Sequence, residues 1–338
     1  MSVSQLNEAH EKDNGVAVDR LIDLTSADMD QVNDLILSRA DSHVEMVPQL
    51  ARYLIEAGGK RLRPMLTLAS AHVLGNASGN QIKYAAAVEF MHNATLLHDD
   101  VVDESDMRRG KPAARKVWGN QASVLVGDFL LGQAFMMMVE AGSLDALDVL
   151  SRAAAVIAEG EVLQLAKAGN EDTSEADYMQ IIGAKTAKLF EAATEVGVMA
   201  GGGSGEKRQA MARYGFELGL AFQLVDDVLD YGLGVGLGKN VGDDLREGKM
   251  TLPIILALKD GSELERKTIL NALGQEDADD SVVSNVRTIL NRRGALEETM
   301  SRAHQHVEKA QAALMELPSS LHREILADVA LFCVQRAY

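Results

Sequence analysis

No proline occurs between Pro112 and Pro253, a stretch of chain far longer than any single helix. Proline inside a helix removes a hydrogen bond and clashes with the preceding turn, so its absence over such a length permits uninterrupted helices. Alanine, leucine, methionine and glutamate are plentiful while aromatics make up only 4%, a balance that favours helix over strand. Val124, Leu131, Phe135 and Met138 recur at helical steps and are expected on one helix face. After the Gly169-Asn170 break, Ser174-Glu175-Ala176-Asp177 predicts a capped helix start. No alternating apolar/polar run and no internal repeat stands out. The expectation is an all-α chain: a flexible segment over residues 1–24, then one domain over 25–338.

Composition narrows the function. With 33 Lys+Arg against 50 Asp+Glu the net charge is −17, which disfavours nucleic acid as a partner. A hydrophobic fraction of 47% supports a large core. The lone Cys333 excludes an internal disulfide and any multi-cysteine metal site. The N-terminus lacks a basic region followed by an apolar run. The apolar patch from Phe129 to Val139 is broken by Gly132 and Gln133, short of the roughly 18 residues of a membrane span. A soluble, cytoplasmic protein with no integral membrane segment is expected.

Two segments share a pattern, Asp99-Asp100-Val101-Val102-Asp103 and Asp226-Asp227-Val228-Leu229-Asp230. On a helix, positions i and i+4 face the same way, so Asp99 points with Asp103 and Asp226 with Asp230; Asp227 also sides with Asp230. One such cluster is as readily a solvated face. Two, both bedded in apolar helix, are harder to explain so, because like carboxylates repel and burying them unpaired is costly. Carboxylate oxygens suit a hard cation, Mg²⁺ or Mn²⁺, and Mg²⁺ commonly completes its shell with substrate phosphates. Two such clusters suit a diphosphate held through metal.

An acidic chain that gathers its cations locally is informative. Lys60, Arg61 and Arg63 follow the Gly58-Gly59 pair, and Arg108, Arg109 and Lys111 follow the first carboxylate cluster. Read singly, these neutralise neighbouring acids; together they suit a second anionic group bound directly. Gly232, Gly234, Gly236, Gly238, Gly242 and Gly248 mark a loop that carries Lys239 and Lys249. That loop fits neither the P-loop nor the dinucleotide fingerprint. His92, Thr186 beside Lys185, and Gln223 one turn before Asp226 are, taken one at a time, as easily packed residues.

The strings GGKRLRP, LLHDDVVDESDMRRG, GAKTAKLF, FQLVDDVLDY and LGKNVGDDLREGKMTLP, in order along the chain, resemble those of trans-polyprenyl diphosphate synthases, most closely the long-chain members. The resemblance implies an isoprenoid-synthase-type bundle of antiparallel helices around a deep central cavity, as a homodimer. It implies head-to-tail addition of isopentenyl diphosphate to an allylic diphosphate, farnesyl or geranylgeranyl. The product would be octaprenyl to decaprenyl diphosphate for a quinone side chain. It implies two to three Mg²⁺ ions, replaceable by Mn²⁺. By motif, Asp99, Asp103 and Asp226 would ligate metal, with Asp227 and Asp230 nearby. Arg108, Lys185, Lys239 and Lys249 would contact the allylic diphosphate; Lys60, Arg63, His92 and Arg109 would bind isopentenyl diphosphate. Thr186 and Gln223 would face the developing cation.

Product length depends, on the same resemblance, on the residues before Asp99. Ala94 and Thr95 are small where short-chain relatives carry a bulky aromatic, and Met91 lies a further turn away. This implies an open path and a long product. Shorter-chain synthases, a terpene cyclase and a non-catalytic synthase subunit are the alternatives. A cyclase needs neither a second DDxxD-type cluster nor the GGKRLRP cations, and silent subunits typically lose a carboxylate motif. Asp128 and the Gly201–Gly205 stretch have no assigned role.

Overall fold

The computed structural model describes residues 3–56, 58–75, 77–232, 241–275 and 277–335. In chain order the described elements are α1 (Val3–Arg39), α2 (Met46–Glu56), α3 (Leu62–His72) and α4 (Asn80–Val102). A two-residue hairpin, β1 (Met107–Arg108) with β2 (Lys111–Pro112), precedes α5 (Ala114–Trp118), α6 (Asn120–Glu140) and α7 (Leu144–Lys167). Next come α8 (Glu175–Ile182), one π-helical turn (Gly183–Ala187), α9 (Lys188–Ala200) and α10 (Gly205–Asp230). The chain ends with α11 (Asp243–Arg246), α12 (Leu252–Asp260), α13 (Glu263–Ala272), α14 (Asp280–Arg292), α15 (Ala295–Leu314) and α16 (Leu321–Gln335). The all-α expectation holds, the hairpin being the sole sheet among the described residues.

The chain groups into two compact units. The first comprises the described residues within 1–154, 189–215 and 313–329; the second comprises those within 155–188, 216–312 and 330–338. In the first, α4 packs along α6 and against α1 and α3. In the second, α8 is followed directly by the π-helical turn, and α12 packs with α8, α13 and α14.

Two sequence expectations need adjusting. Residues 16–24, expected to be flexible, belong to α1, where Val18 and Leu21 are buried. The reason is periodicity: Val18, Leu21, Thr25, Val32 and Ile36 form a buried stripe of helical spacing on an otherwise polar helix. The face assigned to α6 also differs. Met138 is buried, but Val124 is exposed, and the buried face runs through Ala122, Val126, Leu130, Ala134 and Met137. This helix is apolar nearly all round, so spacing could not choose its inward side. By length and hydropathy it is the one described helix capable of crossing a bilayer; here α4 covers its inner face.

The predicted start of α8 is realised as a capping box. The Ser174 hydroxyl accepts from the Asp177 N–H at 3.1 Å, and the Asp177 carboxylate accepts from the Ser174 N–H at 3.0 Å.

Candidate active site

In the first unit, the last turn of α4 sets out the first carboxylate cluster. The Asp103 N–H still donates to the Asp99 carbonyl at 2.8 Å, so these residues stand one turn apart, both half-buried. Glu104 then turns left-handed at φ 52 and ends the helix. Asp100 points the other way and is fully buried. Its Oδ1 accepts from Arg108 Nε at 2.7 Å and lies 2.6 Å from Arg108 Nη2. The pairing draws the hairpin back onto the helix.

The hairpin turn is Arg109-Gly110, with φ 52 and 75. Positive φ at both central positions is the type I′ pattern, which costs little at Gly110 and strains Arg109. The strain brings the Arg109 guanidinium to the Gly58 carbonyl, to which it donates. It lies where a side chain at Gly59 would be: an added Cβ there would sit 2.5 Å from Arg109 Nη1. The glycine pair is therefore what lets the two basic segments meet.

Next to them is Arg63, in the first turn of α3. Its Nη1 donates to His92 Nε2 at 3.2 Å, and its guanidinium stacks 4.4 Å from the Phe190 ring centroid. Its buried Nε has no acceptor among the described residues. Burial holds Arg63 down at about 10, with Glu89 acting the other way and Arg109 adding to the fall. Burial, and then Arg63, Arg109 and Arg108, keep His92 well below the usual histidine value. Burial raises Glu89, while Arg61, Arg63 and Arg109 hold it back. Cations that depress one another around an unmet donor make a site suited to an anion. Lys60, three residues before Arg63, is exposed.

In the second unit, Lys185 and Thr186 ride on the π-helical turn, an irregularity often found where side chains must be re-aimed. Gly160 of α7 is pressed against this turn, and an added Cβ would lie 2.7 Å from the Ala184 Cβ. Lys185 Nζ bonds Glu161 at 2.8 Å. Thr186 Oγ1 donates to Gln223 Oε1 at 2.8 Å, and Gln223 Nε2 donates to Asp227 Oδ1 at 2.8 Å. The other Asp227 oxygen accepts from the Tyr178 hydroxyl at 2.6 Å.

The second carboxylate cluster is thus divided. Asp226 is half-buried, whereas Asp227 and Asp230 are buried. Asp230 Oδ2 accepts from the Asp244 N–H at 3.2 Å, which ties α11 to the end of α10. Burial first, and then the charge of Asp244, push Asp227 up to about 8 against the hydrogen bonds from Tyr178 and Gln223. Such crowding of like charges suits a hard divalent cation. Among the described residues no three acidic, histidine or cysteine side chains group so as to hold a metal ion by themselves. Lys249 pairs with Glu247 and lies 4.0 Å from Asp244; Lys239 falls outside the described residues.

Residues 44–290 match the family model described as polyprenyl synthetase. Octaprenyl diphosphate synthase of Escherichia coli is 46% identical over 320 residues, covering 94% of this chain and 99% of its own. The chain belongs to the polyprenyl synthetase family. Its fold is that of the solved polyprenyl synthases. One, from Caulobacter crescentus and complexed with calcium and isoprenyl diphosphate, superposes with a TM-score of 0.91 at 50% identity, over 95% of this chain and 98% of that one. A decaprenyl diphosphate synthase from Rhodobacter capsulatus gives 0.90 at 46%, over 95% and 99%.

Several features of this polyprenyl synthetase site were not visible in its sequence. Glu89 sits in the apolar run Ala85–Met91, one turn before His92 and Asn93; a lone charge there was the available signal. Tyr178 carried none, since its partner is remote in sequence. Asp128, left without a role, lies 3.5 Å from His98 Nε2. Of the positions implied to set product length, Met91 and Ala94 are buried, and the Thr95 hydroxyl donates to the His92 carbonyl at 2.8 Å.

Because Arg63 donates into His92 Nε2, the imidazole proton must reside on Nδ1. Long-range ¹⁵N NMR is expected to show His92 as this neutral tautomer, unchanged from pH 8 to about 6. A histidine held below its unfolded value near 6.5 weakens folding as the pH drops beneath that value. Titration of His92 near 6.5 would contradict the assignment.

Proposed function

We propose that this chain adds isopentenyl diphosphate head-to-tail to an allylic diphosphate, farnesyl or geranylgeranyl, and repeats the step to a long all-trans product of octaprenyl to decaprenyl length. The observation carrying this reading is the neighbourhood of opposites in the first unit. A cation-seeking pair, Asp99 and Asp103, lies in the same α4 segment that meets an anion-seeking nest with the unmet Arg63 Nε. One diphosphate is then taken through metal and the other directly.

In this reading Asp99, Asp103 and Asp226 hold two to three Mg²⁺ ions, with Asp230 nearby, and Mn²⁺ substitutes. The calcium complex of the Caulobacter relative supports a divalent cation. The metal's chemistry is neutralisation of the charge that grows on the departing diphosphate. Arg108, oriented by Asp100, and Lys185, Lys239 and Lys249 bind that same diphosphate; Lys185 exchanges Glu161 for it. Lys60, Arg63, His92 and Arg109 hold isopentenyl diphosphate so that its alkene meets the allylic carbon. The C–O bond to the allylic diphosphate breaks, the new C–C bond forms, and the proton lost from isopentenyl diphosphate passes to the released diphosphate. Thr186 and Gln223 line the cation. The product's use is a quinone side chain, and the enzyme is cytoplasmic.

The test is incubation with Mg²⁺, farnesyl diphosphate and labelled isopentenyl diphosphate, followed by dephosphorylation and chromatography. A ladder ending at one long polyprenol is expected. A ladder stopping at a short product would assign a shorter-chain synthase, and no incorporation by folded protein would reject the reading.

The homodimer is proposed too, supported by an exposed apolar stripe on α6 formed by Leu125, Met136 and Val139, at 66, 50 and 64% exposure. Such a stripe is costly to leave in water. The variant Leu125→Glu/Val139→Glu is expected to halve the mass seen by light scattering. An unchanged mass would remove α6 from the interface.

A further inference from the structure

From the hydrogen-bond geometry we infer that Tyr178 and Asp227 are positioning residues that fix the polarity of the Gln223–Thr186 pair, turning the Thr186 oxygen, and not its hydrogen, toward the developing cation. The inference rests on the proposed condensation for the identity of that cation.

Asp227 is buried, with one oxygen 2.6 Å from the Tyr178 hydroxyl and the other 2.8 Å from the Gln223 side chain. In its ionised form Asp227 accepts at both oxygens: the phenol gives its one hydrogen to Oδ2, and the Gln223 amide nitrogen serves Oδ1. That choice turns the amide oxygen to its other side, 2.8 Å from Thr186 Oγ1. An acceptor there draws the single hydroxyl hydrogen of Thr186, which leaves the threonine oxygen as an acceptor only. Lone pairs stabilise positive charge, and a hydrogen in their place would oppose it. Helix geometry makes the arrangement rigid. Gln223 and Asp227 stand at i and i+4 on α10, Tyr178 reaches in from α8, and Thr186 is offered by the π-helical turn.

A second consequence concerns metal. Sequence spacing placed Asp227 with the metal ligands, yet both its oxygens are occupied inside the protein. Its role is that of Asp100 in the first motif, where the buried second aspartate holds Arg108. In each motif the second carboxylate orients a neighbour, and the proposed reading assigns the cation to Asp99, Asp103 and Asp226.

The test is steady-state kinetics on the full-length protein with farnesyl and isopentenyl diphosphates, at varied Mg²⁺, per folded site. Wild-type elongation comes first: its absence would overturn the proposed function and this inference with it, whereas elongation that the variants leave unaltered would overturn this inference alone. Tyr178→Phe removes one hydrogen-bonding group and keeps the ring. It is expected to lower kcat about 10-fold to 100-fold, the range typical of lost outer-shell partners. KM for both diphosphates and the Mg²⁺ half-saturation should stay within about twofold. Asp227→Asn would let its amide donate to Gln223, reverse the chain and aim the Thr186 hydrogen outward. Its loss should be at least as large, again with unchanged Mg²⁺ half-saturation. The double variant should be no worse than the poorer single one, since both act through one chain. Wild-type kcat in either variant would overturn the inference. So would activity recovered by excess Mg²⁺, which would make Asp227 a metal ligand. Should Tyr178→Phe fail to fold, Asp227→Asn decides by the same split.

Discussion

Asp99→Ala is expected to lower kcat/KM by at least about a thousandfold, about 4 kcal/mol of transition-state stabilisation, while the protein remains folded. The first half follows from the chemistry. A departing diphosphate gains negative charge as its C–O bond breaks, and a metal-bound carboxylate pair acts where that charge appears. The second half follows from position. Asp99 is half-buried at the end of α4 and shares its face with Asp103, so removing one of two like charges relieves a repulsion worth a few tenths of a kcal/mol. Asp100→Ala is the informative contrast. It would strand the Arg108 guanidinium that Asp100 now holds, and loss of one partner of a buried pair destabilises by about 3 kcal/mol. Circular dichroism melts separate the two: Asp99→Ala should melt as wild type, Asp100→Ala well below it. Near-normal turnover of Asp99→Ala at saturating Mg²⁺ would remove the residue from the metal site.

That contrast also shows what could be read from the letters alone. Periodicity placed both motifs on helices and made partners of Asp99 and Asp103. The Ser174–Asp177 start of α8 was legible because capping is local chemistry. The division of labour within each motif was not legible. Asp99 and Asp100 are the same residue type, and what separates them is which face of α4 meets the protein and where Arg108 returns. Likewise Tyr178 and Asp227 are joined across 49 positions, a distance no local pattern reports. The π-helical turn is invisible for another reason: Gly183-Ala184-Lys185 would fit an α-helix as well, and the pressure of Gly160 on that turn is tertiary. The resemblance named Lys60, Arg63, His92 and Arg109 together, but only the hairpin turn with Arg109 at positive φ brings that arginine onto the glycine pair. Polar composition hid the stripe of α1, whose period was there to be read, whereas in α6 uniform apolarity left the period with no inward side to choose.

Ala94→Phe is expected to shorten the product while leaving the first condensation largely intact. Ala94 lies five residues before Asp99 on α4, and Met91 lies eight before it. At 1.5 Å rise per residue the two are about 7.5 and 12 Å from Asp99 along the helix. If the growing chain runs down this face, a phenyl ring at 94 blocks it early, and one at 91 blocks it about one helical turn later. Met91→Phe should therefore give a product longer than that of Ala94→Phe and shorter than that of the wild type. Both side chains are buried, so the competing physical outcome is overpacking, which costs about 1–3 kcal/mol. The measurements distinguish them. Overpacking lowers the melting temperature and the amount of active enzyme but leaves the final rung of the ladder where it was. A blocked path moves that rung and leaves initiation with farnesyl diphosphate intact. Equal ladders from the two variants, or a ladder unchanged from wild type, would show that the chain grows along another surface and that the small residues before Asp99 serve packing alone.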